Sequence, residues 1–126
     1  MRLYRVILPV DDIAFAEEFY SVLLGDSGSR VSTGRHYFDC GGTILACYDP
    51  EADGDGRGSG WKHHPNQYFY FAVGDLDALF ARAQHLKFRA IDDRIAEMPW
   101  GERLFYGQDP FGNPICFVDE RTLFTG

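Results

Sequence analysis

An α+β fold of two βαβββ modules is predicted by three observations. A strand-like segment followed by an amphipathic helix opens the chain from Leu3 to Gly25, the same pairing recurs from Gln67 to Leu86, and a polar stretch from Asp49 to Asn66 separates them. Aligning Arg5-Val6-Ile7-Leu8-Pro9-Val10-Asp11-Asp12 with Tyr68-Phe69-Tyr70-Phe71-Ala72-Val73-Gly74-Asp75 keeps the apolar positions and a helix-capping aspartate in register, as a divergent duplication does. The first module is placed at about residues 1–48, a linker at about 49–66 and the second module at about 67–120, within a single domain spanning 1–126.

Leu3 to Val10 alternates Tyr4, Val6, Leu8 and Val10 with Arg5, Ile7 and Pro9, the pattern of a strand whose two faces meet different environments. Asp12 is placed to cap a helix, Ile13, Ala16, Phe19, Tyr20 and Leu23 recur at helical spacing, and Gly25 is placed to end it. Arg30 to Thr33, His36 to Cys40 and Thr43 to Tyr48 then read as short strands broken by Gly34 and Gly41-Gly42. Asp49 to Asn66 carries four glycines and no periodicity, so it is expected as a flexible linker. Its acids loosely follow a calcium-loop spacing, but the twelfth position is Gly60 and not the bidentate glutamate, which makes it a solvated acidic loop. Trp61, His63 and His64 also fall here; a flap is one reading, linker residues the other.

In the second module Gln67 to Val73 is strand-like, Asp75 caps a helix bearing Leu76, Leu79, Phe80, Ala83 and Leu86, and short strands continue to Val118. The last two meet at Asp109-Pro110-Phe111-Gly112-Asn113. Pro110 fixes one dihedral, Gly112 permits positive φ, and Asp109 and Asn113 can bond their own backbone, so the five residues specify a hairpin turn. Alternation along the two opening strands puts Val6, Leu8, Val10, Phe69, Phe71 and Val73 on one face and Arg5, Ile7, Pro9, Tyr68, Tyr70 and Ala72 on the other.

At 126 residues, 45% hydrophobic and 25% charged, the chain suits one globular domain. A formal net charge of −7 argues against a nucleic-acid surface and favours a small cationic ligand. No apolar run approaches the ~20 residues of a membrane span, and the start lacks a basic-then-apolar secretion signal, so a cytoplasmic protein is expected. Cys40, Cys47 and Cys116 are an odd count without metal spacing and read as reduced thiols. Aromatic residues make up 16% of the chain, more than packing requires, so some are expected to line a cavity.

Two segments carry a wider pattern. Trp100-Gly101-Glu102-Arg103-Leu104-Phe105-Tyr106-Gly107-Gln108-Asp109-Pro110-Phe111-Gly112-Asn113 resembles the closing hairpin of the vicinal oxygen chelate superfamily of glyoxalases, bleomycin-resistance proteins, extradiol dioxygenases and fosfomycin-resistance enzymes. Leu8-Pro9-Val10-Asp11-Asp12, Phe19-Tyr20 and Leu23-Leu24-Gly25 resemble the opening strand and helix of its first module. The resemblance implies that the two modules form a curved half-barrel sheet with helices outside and a ligand in the concavity. It identifies the fold better than the activity, since one scaffold carries many chemistries.

Family enzymes hold a divalent metal on the first and last strands of each module. By register those positions are Arg5, Tyr68, Ala46 and Cys116, with Cys47 if the first module slips by one. Arginine stays protonated and alanine has no donor, so no metal and no cofactor are expected. The metal-free bleomycin-resistance branch is the nearer comparison, and Leu8-Pro9-Val10 resembles its members, dimers that exchange the opening strand around such a proline. The resemblance therefore implies a homodimer that binds a small molecule, possessing no nucleic-acid or membrane partner, in a cleft lined by Arg5, Ile7, Phe38, Tyr68, Tyr70, Trp100, Tyr106 and Cys116.

No catalytic residue is identified. Arg5 reads either as a surface arginine pairing with Asp11 or Glu102, or as a bidentate anchor for a carboxylate or phosphonate. Cys116 reads as a buried small side chain in preference to a nucleophile, and His85 as a partner of the helix dipole. Two alternatives stay open: a lyase, isomerase or dioxygenase with a relocated metal on His36 with Cys116 or Glu102, and a non-catalytic scaffold domain.

Overall fold

Asp12 starts the first helix by accepting the Phe15 N–H on its carboxylate at 3.0 Å. That helix, α1 (Ile13–Leu24), buries Ile13, Ala16, Phe19, Tyr20 and Leu23, and Gly25 ends it in the left-handed region at φ 69°, donating its N–H to the Ser21 carbonyl. The computed structural model describes residues 1–56, 62 and 64–125. The chain divides into two compact units, Met1–His63 and His64–Gly126.

The first unit pairs β1 (Arg5–Pro9), β2 (Ser29–Ser32), β3 (Arg35–Cys40) and β4 (Thr43–Tyr48) in the order β1-β4-β3-β2. β1 runs parallel to β4 and the other neighbours are antiparallel. Parallel pairing requires a crossover, which α1, β2 and β3 supply. The register joins Val6 to Leu45 and Phe38, and Leu8 to Cys47 and His36, on one face of the sheet. Tyr20 of α1 meets Phe38 with ring centroids 6.2 Å apart, so this face and α1 form the first core. The opening strand, which the resemblance implied would exchange between subunits at Pro9, lies here against β4 of its own chain.

The second unit repeats the plan. β5 (Phe69–Val73) lies parallel to β9 (Pro114–Asp119), which pairs antiparallel with β8 (Arg103–Gln108). The two-residue strands β6 (Ala90–Ile91) and β7 (Ala96–Glu97) both pair with β8. Between them Asp92 donates its backbone N–H to the Tyr106 carbonyl at 2.9 Å and accepts the Tyr106 N–H on its side chain at 2.9 Å. A carboxylate thus stands in for one rung of the ladder. Helix α2 (Leu76–Ala83) is capped by Asp75, which accepts the Ala78 N–H at 3.0 Å. It ends three residues before Leu86, and His85 and Leu86 continue in tight turns bonded to Arg82 and Ala83.

Phe71 stacks on Phe117 at 5.3 Å, Phe117 meets Phe105 at 5.2 Å, and Phe105 meets Phe80 of α2 edge-on at 4.9 Å. These four rings are the centre of the second core, and truncating the fully buried Phe105 to alanine would cost roughly 3–5 kcal/mol.

The α+β class holds, but a curved half-barrel sheet does not form. The described strands make two separate sheets, one of four strands and one of five, each confined to its own unit. The reason lies in the ladders: the first strand of each unit returns beside the last strand of the same unit, so pairing closes inside the module. The second module also has one more strand than βαβββ, since β6 and β7 pair separately with β8 on either side of the Asp92-Asp93-Arg94 run. No helix among the described residues is long and apolar enough to cross a membrane.

The expected flexible linker is tethered where it begins. Asp53 accepts the Ser32 hydroxyl at 2.7 Å and the Gly34 N–H at 2.6 Å, while the Gly54 and Asp55 N–H groups bond back to Glu51 and Pro50. Trp61 and His63, two members of the flap reading, lie outside the described residues, as does Gly60 of the calcium-loop comparison.

Candidate functional site

On β5, β9 and β8 the register sets Tyr70, Cys116 and Tyr106 side by side across three strands. Strand alternation turns them to the face opposite Phe71, Phe117 and Phe105, and so away from α2. Tyr68 precedes β5 by one residue and joins the same face. Its ring meets Tyr106 at 5.6 Å and 83°, and Tyr70 meets Tyr106 at 6.2 Å and 82°, both edge-to-face. Tyr68 and Tyr70 are 6.4 Å apart. The Tyr70 and Tyr106 hydroxyls share a hydrogen bond of 3.3 Å.

The cluster stands at the surface on an apolar floor. Tyr68 is 42% and Tyr70 55% exposed, whereas Leu104, Cys116 and Val118 on the same face are buried, with Met98 and Tyr106 packed against them. The hydrogen bond with Tyr70, helped by partial burial, raises the Tyr106 phenol well above its ordinary value. Burial, then the nearby Glu102 and Asp92 carboxylates, pushes the Cys116 thiol up to about 12. A protonated thiol is neither a nucleophile nor a metal ligand at neutral pH.

Trp100 is not part of this cluster's ring contacts. It lies in the turn between β7 and β8, largely exposed, with its indole N–H donating to Glu102 Oε1 at 2.7 Å. Phe38, expected in the lining, is a core residue: β3 turns His36 and Phe38 toward α1, and Phe38 is fully buried between Tyr20 and His36. His36 is buried as well. Arg30 Nε donates to its Nδ1 at 3.3 Å, leaving Nε2 as the protonated nitrogen that donates to the Ser27 carbonyl at 2.8 Å. Both ring nitrogens are engaged within the core, which removes His36 from the relocated metal reading.

Arg5 and Ile7 project from the first sheet on the face away from α1. The sequence reading missed their company there. Arg5 Nη1 donates to the Tyr37 hydroxyl at 3.0 Å, Arg35 Nη1 donates to the same oxygen at 3.0 Å, and the Arg35 guanidinium stacks over Tyr48 at 3.9 Å. The alternation Arg35-His36-Tyr37-Phe38 was the available signal, since placing His36 and Phe38 inside puts Arg35 and Tyr37 outside.

The positions where the resemblance implies metal ligands do not suit a divalent cation. Arg5 carries a positive charge into a bond with Tyr37, Ala46 has no donor, and Cys116 resists ionisation. Among the described residues, no three His, Cys, Asp or Glu side chains gather as a metal site.

A family model described as the Glyoxalase/Bleomycin resistance protein/Dioxygenase superfamily matches residues 2–117. The chain belongs to this superfamily. Solved structures of its fold are similar at low identity. A glyoxalase/bleomycin resistance protein from Albidiferax ferrireducens is 21% identical with a TM-score of 0.74, over 92% of this chain and 96% of that one. A lactoylglutathione lyase from Agrobacterium tumefaciens is 23% identical with a TM-score of 0.69, over 95% and 94%. A glyoxalase-related enzyme from Fulvimarina pelagi is 14% identical with a TM-score of 0.76, over 99% and 92%. At these identities the likeness concerns the fold. The search of curated proteins found no match.

Proposed function

We propose that this superfamily member is a small-molecule-binding protein that works without a metal and holds its ligand against Tyr68, Tyr70 and Tyr106. The observation that carries this reading is three tyrosine rings converging on an outward sheet face above an apolar floor. Core packing does not call for such an arrangement, because Tyr68 and Tyr70 leave much of their surface to solvent. Electron-rich ring faces and a net charge of −7 favour a planar cationic compound, each ring contributing on the order of 0.5–2 kcal/mol.

Sequestration of a toxic or antibiotic-like compound is the role we assign, supported by the bleomycin-resistance members of the superfamily. Cys116 is the floor of the site. Trp100 is a further contact position to be tested by single substitution. The reading includes a cytoplasmic homodimer, for which twice the chain mass is expected in solution at micromolar concentration; a monomer removes the dimer from it.

Calorimetric titration with acridine orange and benzyltrimethylammonium tests the site. Saturable binding is expected that survives chelator treatment, weakens roughly tenfold in Tyr70→Ala and is lost in the Tyr68→Ala/Tyr70→Ala double variant. Binding unchanged in the double variant, or abolished by chelator, would overturn the proposal.

A further inference from the structure

We infer that the first unit carries an oxyanion-binding site made by Arg5, Tyr37 and Arg35. The inference begins from an imbalance of donors and acceptors. Arg5 Nη1 and Arg35 Nη1 both donate to the Tyr37 hydroxyl oxygen at 3.0 Å, so that oxygen receives two hydrogen bonds from two cations. Its own proton must then point elsewhere, and no acceptor for it occurs among the described residues. The phenolic proton and the remaining N–H groups of Arg5 are thus left to face outward.

The two guanidiniums are held in place. Arg5 lies 5.3 Å from the Tyr4 ring centre and 5.4 Å from that of Tyr37, while Arg35 stacks at 3.9 Å on Tyr48. Neighbouring carboxylates leave Arg5 uncompensated. Asp53 pairs with Arg35 Nε at 3.6 Å while also accepting bonds from Ser32 and Gly34, so Arg35 is compensated and Arg5 is not. Asp55 accepts the Tyr48 hydroxyl. Asp39 shares the face and accepts the Gly42 N–H at 2.7 Å, forming no ion pair with Arg5 among the described residues. An inserted anion would pair with the Arg5 guanidinium and accept a hydrogen bond from the Tyr37 hydroxyl. Arg5 is exposed and both Arg35 and Tyr37 are partly so, which leaves the group open to a small carboxylate or phosphate.

The test is titration of the full chain with sodium benzoate and, separately, inorganic phosphate, followed by the Arg Nε–H signals in nitrogen-resolved NMR at constant ionic strength. Saturable shifts of the Arg5 and Arg35 signals are expected. The probe that saturates at lower concentration identifies the anion class. Tyr37→Phe, which keeps the ring and removes the hydroxyl, should raise the half-saturation concentration about tenfold. Arg5→Gln should abolish saturation, whereas Lys87→Gln, an equal charge loss at an exposed position, should leave it unchanged. Linear, non-saturating shifts with both probes would overturn the inference. So would equal binding in Arg5→Gln, or equal weakening in Lys87→Gln, which would reduce the effect to general charge. Binding of the cationic probes at the tyrosine cluster is a separate measurement, so either proposal can fail alone.

Discussion

Burial sets the chemistry of Cys116 more firmly than its neighbours do. A thiol pushed up to about 12 by its apolar surroundings stays protonated through the physiological range. Cys40 is also raised, by burial first and then by Asp39 and Asp26, but it remains partly exposed. Ellman's reagent at pH 8 should therefore modify no more than Cys40 in the folded protein, with Cys47 and Cys116 reacting only after denaturation. Three rapid equivalents would contradict the burial of β4 and β9. Tyr106 gives a second prediction. Its phenol is raised above 10.0 by the bond with Tyr70 and by burial, so its stabilisation is complete below that pH and is lost as pH climbs through the folded value. Absorbance at 295 nm should show a late tyrosine ionisation that is missing in Tyr106→Phe.

Residue-level readings from sequence succeeded where one local rule decided the outcome. Asp12 and Asp75 cap because a short carboxylate before an apolar run has a free N–H to bond. Phe38 was misplaced because hydrophobicity does not distinguish the inside of a sheet from a ligand-facing surface. Its parity with His36, set by the register to β4, does.

Among elements, the Asp109–Asn113 turn shows how a sequence motif becomes rigid. Asp109 Oδ1 accepts the Phe111 N–H at 2.9 Å and the Asn113 N–H at 2.8 Å, and its Oδ2 accepts the Asn113 side chain at 2.9 Å. Gly112, at φ 88°, closes the turn by donating to the Asp109 carbonyl at 3.1 Å. Since Asp109 is fully buried, Asp109→Ala should cost about 3 kcal/mol in chemical denaturation, far more than a surface substitution. The end of β9 is held differently. Asp119 bonds Arg121 at 2.8 Å and Arg103 at 3.3 Å, and Arg103 reaches Asp77 of α2 at 2.7 Å. Arg121 foremost, then Arg103, hold the Asp119 carboxyl well below the ordinary 3.8. A depressed carboxylate stabilises the fold above its unfolded value and loses that contribution as pH falls below it. Asp119→Asn should lower the midpoint of thermal unfolding at pH 7 and narrow its difference from wild type below pH 3.8.

For the whole molecule, alternation and helical spacing were enough to foretell two strand–helix units, because each unit's core is local to it. The half-barrel was not legible, since sheet continuity depends on which strand edges pair, and edge pairing leaves no periodic trace in sequence. The same topology predicts the order of backbone protection. β4 and β9 are paired on both sides, whereas β2 and β6 are edges and β7 has two residues. Hydrogen exchange should be slowest in β4 and β9 and fastest in β2, β6 and β7. Uniform protection across all nine described strands would contradict the separate sheets.

Because β1 lies along β4 and β5 along β9, each opening strand waits for its partner until nearly the whole unit has been synthesised. On the ribosome, Arg5 to Pro9 must emerge and remain unzipped until Tyr48 clears the exit tunnel. Assembly of either half therefore includes one long loop closure between its first and last strands.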